Sequence, residues 1–329
     1  MSGGITGQGT TFNLPNFVGE LFGITPEDTP FLSSIGGLTG GVETPSSFFQ
    51  WETYDLRDAS PTAQVVEGAA APTAQARVRG NVGNVTEIHH EAIEISYSKL
   101  TYTGQYDSTG SSHPGTVGIT GTNPVLDEMA WQTQQRLKEI ARDVEQSFIN
   151  GTFNNPATNA SARRTGGILE AITTNVVDAL NAPMTEDMVL DLMQEIWEAG
   201  GIMESETRTI MAGAGQKRKL TQIFITEAGQ GRIEVSRNVG GVNLQTFETD
   251  FGKCNIMLNR HMPPDAIAVV SLEECKPRFG LVPGKGFLFV EPLAKTGASE
   301  KSQIYGEIGL EFGVETHHGK LTNLNTTGS

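Results

Sequence analysis

The chain has 329 residues, enough for a sizeable core and two subdomains, and its 37% hydrophobic content and 39 glycines describe a turn-rich globular protein, not a low-complexity one. A formal net charge of −15 repels phosphate and disfavours simple groove or patch binding of nucleic acid. Cys254 and Cys275 are too few for a disulfide framework and read as small buried apolar residues, while no leader pattern and no apolar run near the roughly 18 residues of a membrane span is present, so a protein made in the cytosol is expected.

Residues 1–45 read as an arm. Gly, Ser and Thr fill the start, and short apolar clusters follow: Phe12 to Val18, Leu21 to Ile24, and Phe31 to Ile35. Asn16 to Gly23 is predicted as a short helix, and Pro30 suits the first position of another. No Lys or Arg precedes Arg57, unlike the basic arms that condense nucleic acid. These clusters cannot form a core alone and must dock on the body or on a neighbouring molecule.

Residues 46–98 read as a long β-hairpin. One limb, Ser47 to Tyr54, alternates Phe49, Trp51 and Thr53 against Phe48, Gln50 and Glu52; the other runs from about Val85 to Tyr97. The stretch between them, Arg57 to Gly83, lacks apolar periodicity and is predicted to protrude. Thr101 to Gly121 is a linker by composition. A spine helix is expected over Pro124 to Asn150, capped by Asn123, with Leu126, Met129, Leu137, Ile140, Val144 and Phe148 near helical spacing. At ~1.5 Å per residue it is about 40 Å long.

A loop over Asn154 to Gly167 leads to a second helix, Glu186 to Ala199, with Thr185 as its cap and Gly200-Gly201 as its stop. Thr207 to Ala212 is a predicted strand and Gly215 to Thr226 a third helix. Further strands are expected at Gly241 to Glu248, Lys253 to Leu258, Ile267 to Leu272, Gly286 to Val290 and Gln303 to Thr316. The class is α+β, with no internal repeat and no heptad run.

The chemical inventory is nearly empty. His89-His90 and His317-His318 are adjacent pairs, and neighbours on a strand face opposite ways, so neither pair can converge on one ion; they read as solvated strand histidines. Gly213-Ala214-Gly215 lacks the third glycine and the acidic residue of a dinucleotide turn and reads as a strand-to-helix turn. Lys217, Arg218 and Lys219 read as a solvated helix face, and Asp250-Phe251-Gly252 lacks every other kinase element. No catalytic, cofactor-binding or metal-ligating residue is assigned, and no enzyme activity is expected.

Several stretches, in this order, resemble tailed-phage major capsid (major head) proteins of the Hong Kong 97-type fold, which is shared with bacterial encapsulins. They are Thr29-Pro30-Phe31-Leu32-Ser33, Phe49-Gln50-Trp51-Glu52-Thr53, Val66-Glu67-Gly68, Glu128 to Phe148, and Arg208 to Gln222. The resemblance implies an N-terminal arm (1–45), an extended loop (46–98), a peripheral domain (99–167 and 296–329) and an axial domain (168–295). It implies a late structural protein of the virion that forms pentamers and hexamers of an icosahedral head, assembled in the host cytoplasm. That head would enclose double-stranded DNA without sequence-specific binding, and no membrane is implied. A separate scaffolding protein, a portal and a decoration protein are the implied partners, and no large pro-segment is expected because the chain opens almost directly on the arm.

The first lysine is Lys99, beyond the loop tip, so covalent loop cross-links of the type known in this fold are not expected. Three alternatives keep distinct signatures. An encapsulin-like compartment would hold an enzyme instead of DNA, an acidic hydrolase would depend on His90 or His317, and a tail-tube subunit would form rods.

Overall fold

The computed structural model describes residues 24–101, 127–201, 208–223, 235–239, 242–249, 251–295 and 297–326. In chain order these form α1 (Pro30–Ser34), β1 (Val42–Thr44), β2 (Phe48–Tyr54), β3 (Arg79–Val85), β4 (Glu87–Ser96), α2 (Tyr97–Thr101), α3 (Glu128–Asn150), α4 (Ile168–Ala171), β5 (Val176–Asp178), α5 (Glu186–Glu198), β6 (Arg208–Ala212) and α6 (Ala214–Thr221). There follow β7 (Val235–Val239), β8 (Val242–Thr249), β9 (Gly252–Leu258), β10 (Ile267–Ser271), β11 (Lys276–Gly280), β12 (Leu288–Pro292), β13 (Ser299–Glu311) and β14 (Gly319–Thr322). The class is α+β, as expected.

Three sheets organise the described strands. One has seven strands in the order β5-β14-β10-β6-β9-β8-β7; a second runs β1-β11-β13-β12 with β4 also on β13; the third is the β2–β3 hairpin. The seven-stranded sheet mixes parallel pairs (β5–β14, β6–β9) with antiparallel ones. α5 closes one of its faces. Val189, Leu192, Met193 and Ile196 recur at helical spacing and pack with Ile210, Ala212, Ile256, Ile267, Val269 and Leu321. Each such buried side chain contributes about 1.5–3 kcal/mol relative to exposure. Thr185 caps α5, its Oγ1 accepting from Met188 N at 3.3 Å, as the sequence predicts.

The chain divides into two compact units. The described part of the first lies within 24–27, 91–101, 127–139 and 290–304, and that of the second within 28–90, 140–289 and 305–326. Charged pairs on partly exposed side chains mark the first unit. Lys138 meets Glu27 at 2.7 Å, Lys301 meets Glu94 at 3.0 Å, and Arg136 meets Glu139 at 2.6 Å. The core lies in the second unit.

Several elements depart from expectation. The partner of β2 is Arg79–Val85, with Phe48 opposite Val85 and Tyr54 opposite Arg79, while Glu87–Ser96 pairs with β13 instead. The β3 sequence, RGNVGNV, has no apolar alternation, so backbone pairing alone defines it. α3 begins at Glu128, and its first turn is capped by Asp127, whose Oδ1 accepts from Met129 N (2.9 Å) and Ala130 N (3.2 Å). Asn123, the expected cap, lies outside the described residues, as do the predicted 16–23 helix, most of the 101–121 linker and Asp250.

β13 stops at Glu311, short of Thr316, because Gly313 adopts φ +63° and turns the chain out of the strand. Up to that point alternate residues face inward, since Ile304, Gly306, Ile308, Leu310 and Phe312 are all buried. β1, β5, β7, β11 and β14 carry no periodic signal over their few residues, and local pattern does not predict them.

The first turn of α1 is fixed by one buried carboxylate. Glu145 is 0% exposed on the apolar stripe of α3 between Val144 and Phe148. Its two oxygens accept from Phe31 N (2.9 Å) and Leu32 N (2.6 Å), the free N–H groups at the start of α1, and from the Asn259 amide. Phe31 and Leu32 are thereby held at 0% and 1% exposure. Burial pushes the Glu145 carboxyl above its usual range, and the three donors pull the other way. An Arg260–Asp28 ion pair at 2.9 Å holds the residue just ahead of α1.

The reading of solvated strand histidines fails for the second pair. His317 lies in a 3₁₀ turn and pairs with Glu274, and His318 is 0% exposed. His318 Nδ1 lies 3.2 Å from Ser271 N and Nε2 lies 2.7 Å from Phe312 O. A backbone N–H can only donate and a carbonyl can only accept, so the ring is neutral with its proton on Nε2. Burial lowers its pKa accordingly. The ring thus bridges β10 to the end of β13.

Two outcomes follow from these buried groups. Replacing Glu145 with Ala strands three donors, and at about 1–3 kcal/mol for each unsatisfied group the loss should reach roughly 3 kcal/mol or more by urea denaturation of the unassembled subunit; an unchanged midpoint would contradict the assignment. His318 resists protonation when folded but not when unfolded. Its contribution is complete above the ordinary histidine pKa of about 6.5 and is lost as pH falls below it towards the lower folded value. The melting temperature should therefore fall from pH 7 to pH 5 by less in His318→Gln than in the native chain.

Candidate functional site

No cluster of three or more His, Cys, Asp or Glu that could hold a metal is found among the described residues. Cys254 and Cys275 are buried and unpaired, as expected. Burial pushes the Cys254 thiol up to about 11, and raises Cys275 as well, so neither is a reactive thiolate. Gly213 is the turn between β6 and α6, as predicted. On α6, Arg218 is exposed, but Lys219 Nζ donates to Asn325 O at 3.3 Å, so the basic run is only partly a free face. His89 lies 2.9 Å from Glu87, while His90 is exposed and edges against Tyr305. No helix among the described residues is long and apolar enough to cross a membrane.

The fold instead presents a projecting surface. β2 and β3 pair over seven residues, about 23 Å at ~3.3 Å per residue. Beyond them every residue from Asp55 to Val78 is exposed. Leu56, Val65, Val66 and Val78 are 69–83% exposed there, four apolar side chains with no core of their own to enter. A loop this long in one domain, with apolar residues in solvent, marks a surface that meets another molecule.

The root of this hairpin is as ordered as its tip is exposed. Asn84, 1% exposed, uses both ends of its amide: Nδ2 donates to Gly166 O (2.9 Å) and Leu310 O (2.7 Å), and Oδ1 accepts from Gly166 N (2.8 Å). Thr165 Oγ1 accepts from Leu310 N at 3.2 Å. Glu307 receives Thr86 Oγ1 (3.2 Å) and Arg163 (3.1 Å). Trp51 packs edge-on against Phe312 at 4.9 Å and donates its Nε1–H to Gly313 O at 2.6 Å. Gly309 permits this closeness, since a Cβ there would lie 2.7 Å from Val85 O and 2.8 Å from the Phe49 ring. A rigid root and an unsupported tip make a lever.

The sequence pointed to Phe49 and Trp51 by alternation but not to Asn84, Glu145 or Thr165. None of the three carries a local signal: Asn84 and Thr165 sit in polar, glycine-rich stretches, and Glu145 is followed by Gln146 and Ser147.

Comparison with known proteins agrees with this architecture. The cyanophage A-1(L) capsid has a TM-score of 0.67 at 8% identity, over 97% of this chain and 99% of that one. The capsid of an empty GTA particle gives 0.61 at 12%, over 94% of each chain. The holo-SrpI encapsulin complex from Synechococcus elongatus PCC 7942 gives 0.60 at 14%, over 96% and 94%. At these identities the likeness establishes the fold, the Hong Kong 97 type. No curated protein matches the chain by sequence. The family model described as SU10 major capsid protein matches residues 4–325, nearly the whole chain. With its exposed hairpin loop, capsid-type fold and family match over nearly its whole length, this chain belongs to the SU10 major capsid protein family and is a structural subunit of a phage head.

Proposed function

We propose that copies of this chain associate into pentamers and hexamers and close an icosahedral shell around double-stranded DNA, without catalysis. The observation that carries this is the exposed Asp55–Val78 loop on a rigid root. Its apolar side chains gain burial only by lying on another subunit. In this reading residues 1–45 are the arm, 46–98 the extended loop, 99–167 and 296–329 the peripheral domain, and 168–295 the axial domain around the symmetry axes.

Each contact can be weak, because closure makes many of them simultaneous. The loop tip carries no lysine, so the shell is held by overlap and not by covalent loop cross-links. A separate scaffolding protein, a portal and a decoration protein complete the assembly, which takes place in the host cytoplasm. The net charge of −15 keeps the subunit from gripping phosphate, leaving DNA free to slide during filling and release. The shared fold also fits an encapsulin-like compartment, from which a head differs in holding DNA instead of an enzyme.

Purified full-length protein should give closed shells by electron microscopy; rods or monodisperse monomers would refute the reading. Replacing Arg57–Arg77 with a short Gly-Ser turn should leave a folded subunit, since loop shortening alters stability by under about 1 kcal/mol, and should abolish shells. Isolated subunits should show no tight, salt-sensitive binding to double-stranded DNA in a filter assay.

A further inference from the structure

The turn after β5 holds a leucine where leucine is disfavoured. Leu180 (φ +49°) and Asn181 (φ +63°) both adopt the left-handed region, and Ala182 N donates to Ala179 O at 2.8 Å. This is a type I′ turn, whose central pair is ordinarily Asn-Gly or Asp-Gly. Asn tolerates that region, whereas an L-residue with a long side chain is strained in it. Leu180 is also 82% exposed, so packing against the described residues does not account for its presence.

The turn is nonetheless tied down from below. Ala179 N donates to Thr322 O (2.9 Å), Asn181 N to Asn323 O (2.8 Å) and Asn325 N to Ala182 O (3.0 Å). Asp178 Oδ1 accepts from both Leu180 N and Asn323 Nδ2 at 2.9 Å. Ala179 and Leu324 beneath it belong to the buried core. The result is a preorganised apolar knob on β5, the end strand of the seven-stranded sheet. Little ordering is left to oppose a contact there.

We infer that Leu180 is an assembly contact, an apolar knob that a second copy of this chain buries when capsomers form. The inference rests on the shell reading and assigns it a residue outside both the arm and the hairpin loop. A second copy is the fitting occupant because a shell subunit meets its own kind on every lateral edge, and this knob stands at a sheet edge. Strain retained at an exposed position also marks a functional constraint, since local stability alone would favour its removal.

Stability and assembly should therefore move in opposite directions. Leu180→Asn, which suits the left-handed region, should raise the melting temperature of the unassembled subunit by ~2–4 °C. It should also raise the subunit concentration needed for shells by about tenfold, the effect of losing one good apolar contact. Leu180→Met keeps the apolar side chain and should assemble like the native chain. Light scattering and sedimentation of full-length protein read both quantities. Native-like assembly of Leu180→Asn alongside normal native shells would overturn the inference and spare the shell reading. Absence of shells from the native chain would overturn both.

Discussion

The carboxylate of Glu145 answers a constraint that any buried helix start meets. A short helix at the start of the body, α1, exposes backbone N–H groups at its first turn, and burying that turn against α3 removes water from them. Glu145 reaches from the spine helix, takes both N–H groups of Phe31 and Leu32, and holds the Asn259 amide as well. An uncompensated carboxylate in such a place would be costly, and so would uncompensated donors. Each side is tolerable only because of the other. The seat of α1 on α3 is set by polar geometry, and the burial of Phe31 and Leu32 goes with it.

The same logic recurs at the hairpin root and at the end of β13. Asn84 spends both halves of its amide on backbone groups of two other segments, and the neutral His318 ring spans Ser271 N and Phe312 O. These are fully satisfied buried polar groups, which specify one arrangement more sharply than apolar packing can. Glu274 and Glu315 extend the pattern around the 3₁₀ turn. Burial alone would raise both carboxyls, yet His317 with Val314 N–H, and the Thr173–Thr174 donors, hold them below their ordinary values. Satisfied buried polar groups thus gather at the root of the exposed loop and at the end of β13.

That distribution suits a shell subunit. A loop that is fully exposed in one molecule has no enthalpic reason to hold its direction, so its direction must come from its root. Asn84, Thr165 and Trp51 provide that root within the second unit. The exposed apolar residues beyond it suit burial on another molecule, as proposed above, while the net charge of −15 opposes phosphate binding.

Local pattern was enough for everything with a period. The alternation of Phe49, Trp51 and Thr53, the 3.6-residue spacing of α3 and α5, the Thr185 cap and the buried face of β13 are all legible in order along the chain, because each is a repeat within a few residues. The family resemblance was legible for the same reason, as a succession of such stretches. What tertiary structure alone decided was pairing and polarity. β3 has no apolar rhythm, so only its hydrogen bonds to β2 reveal that the hairpin closes at Arg79–Val85 and that Glu87–Ser96 belongs to another sheet. Glu145, Asn84 and His318 look like surface residues in sequence, since nothing local announces hydrogen-bond partners contributed from more than 45 residues away. Their roles exist only once distant segments are brought together, and long-range contact is the information a single sequence does not display.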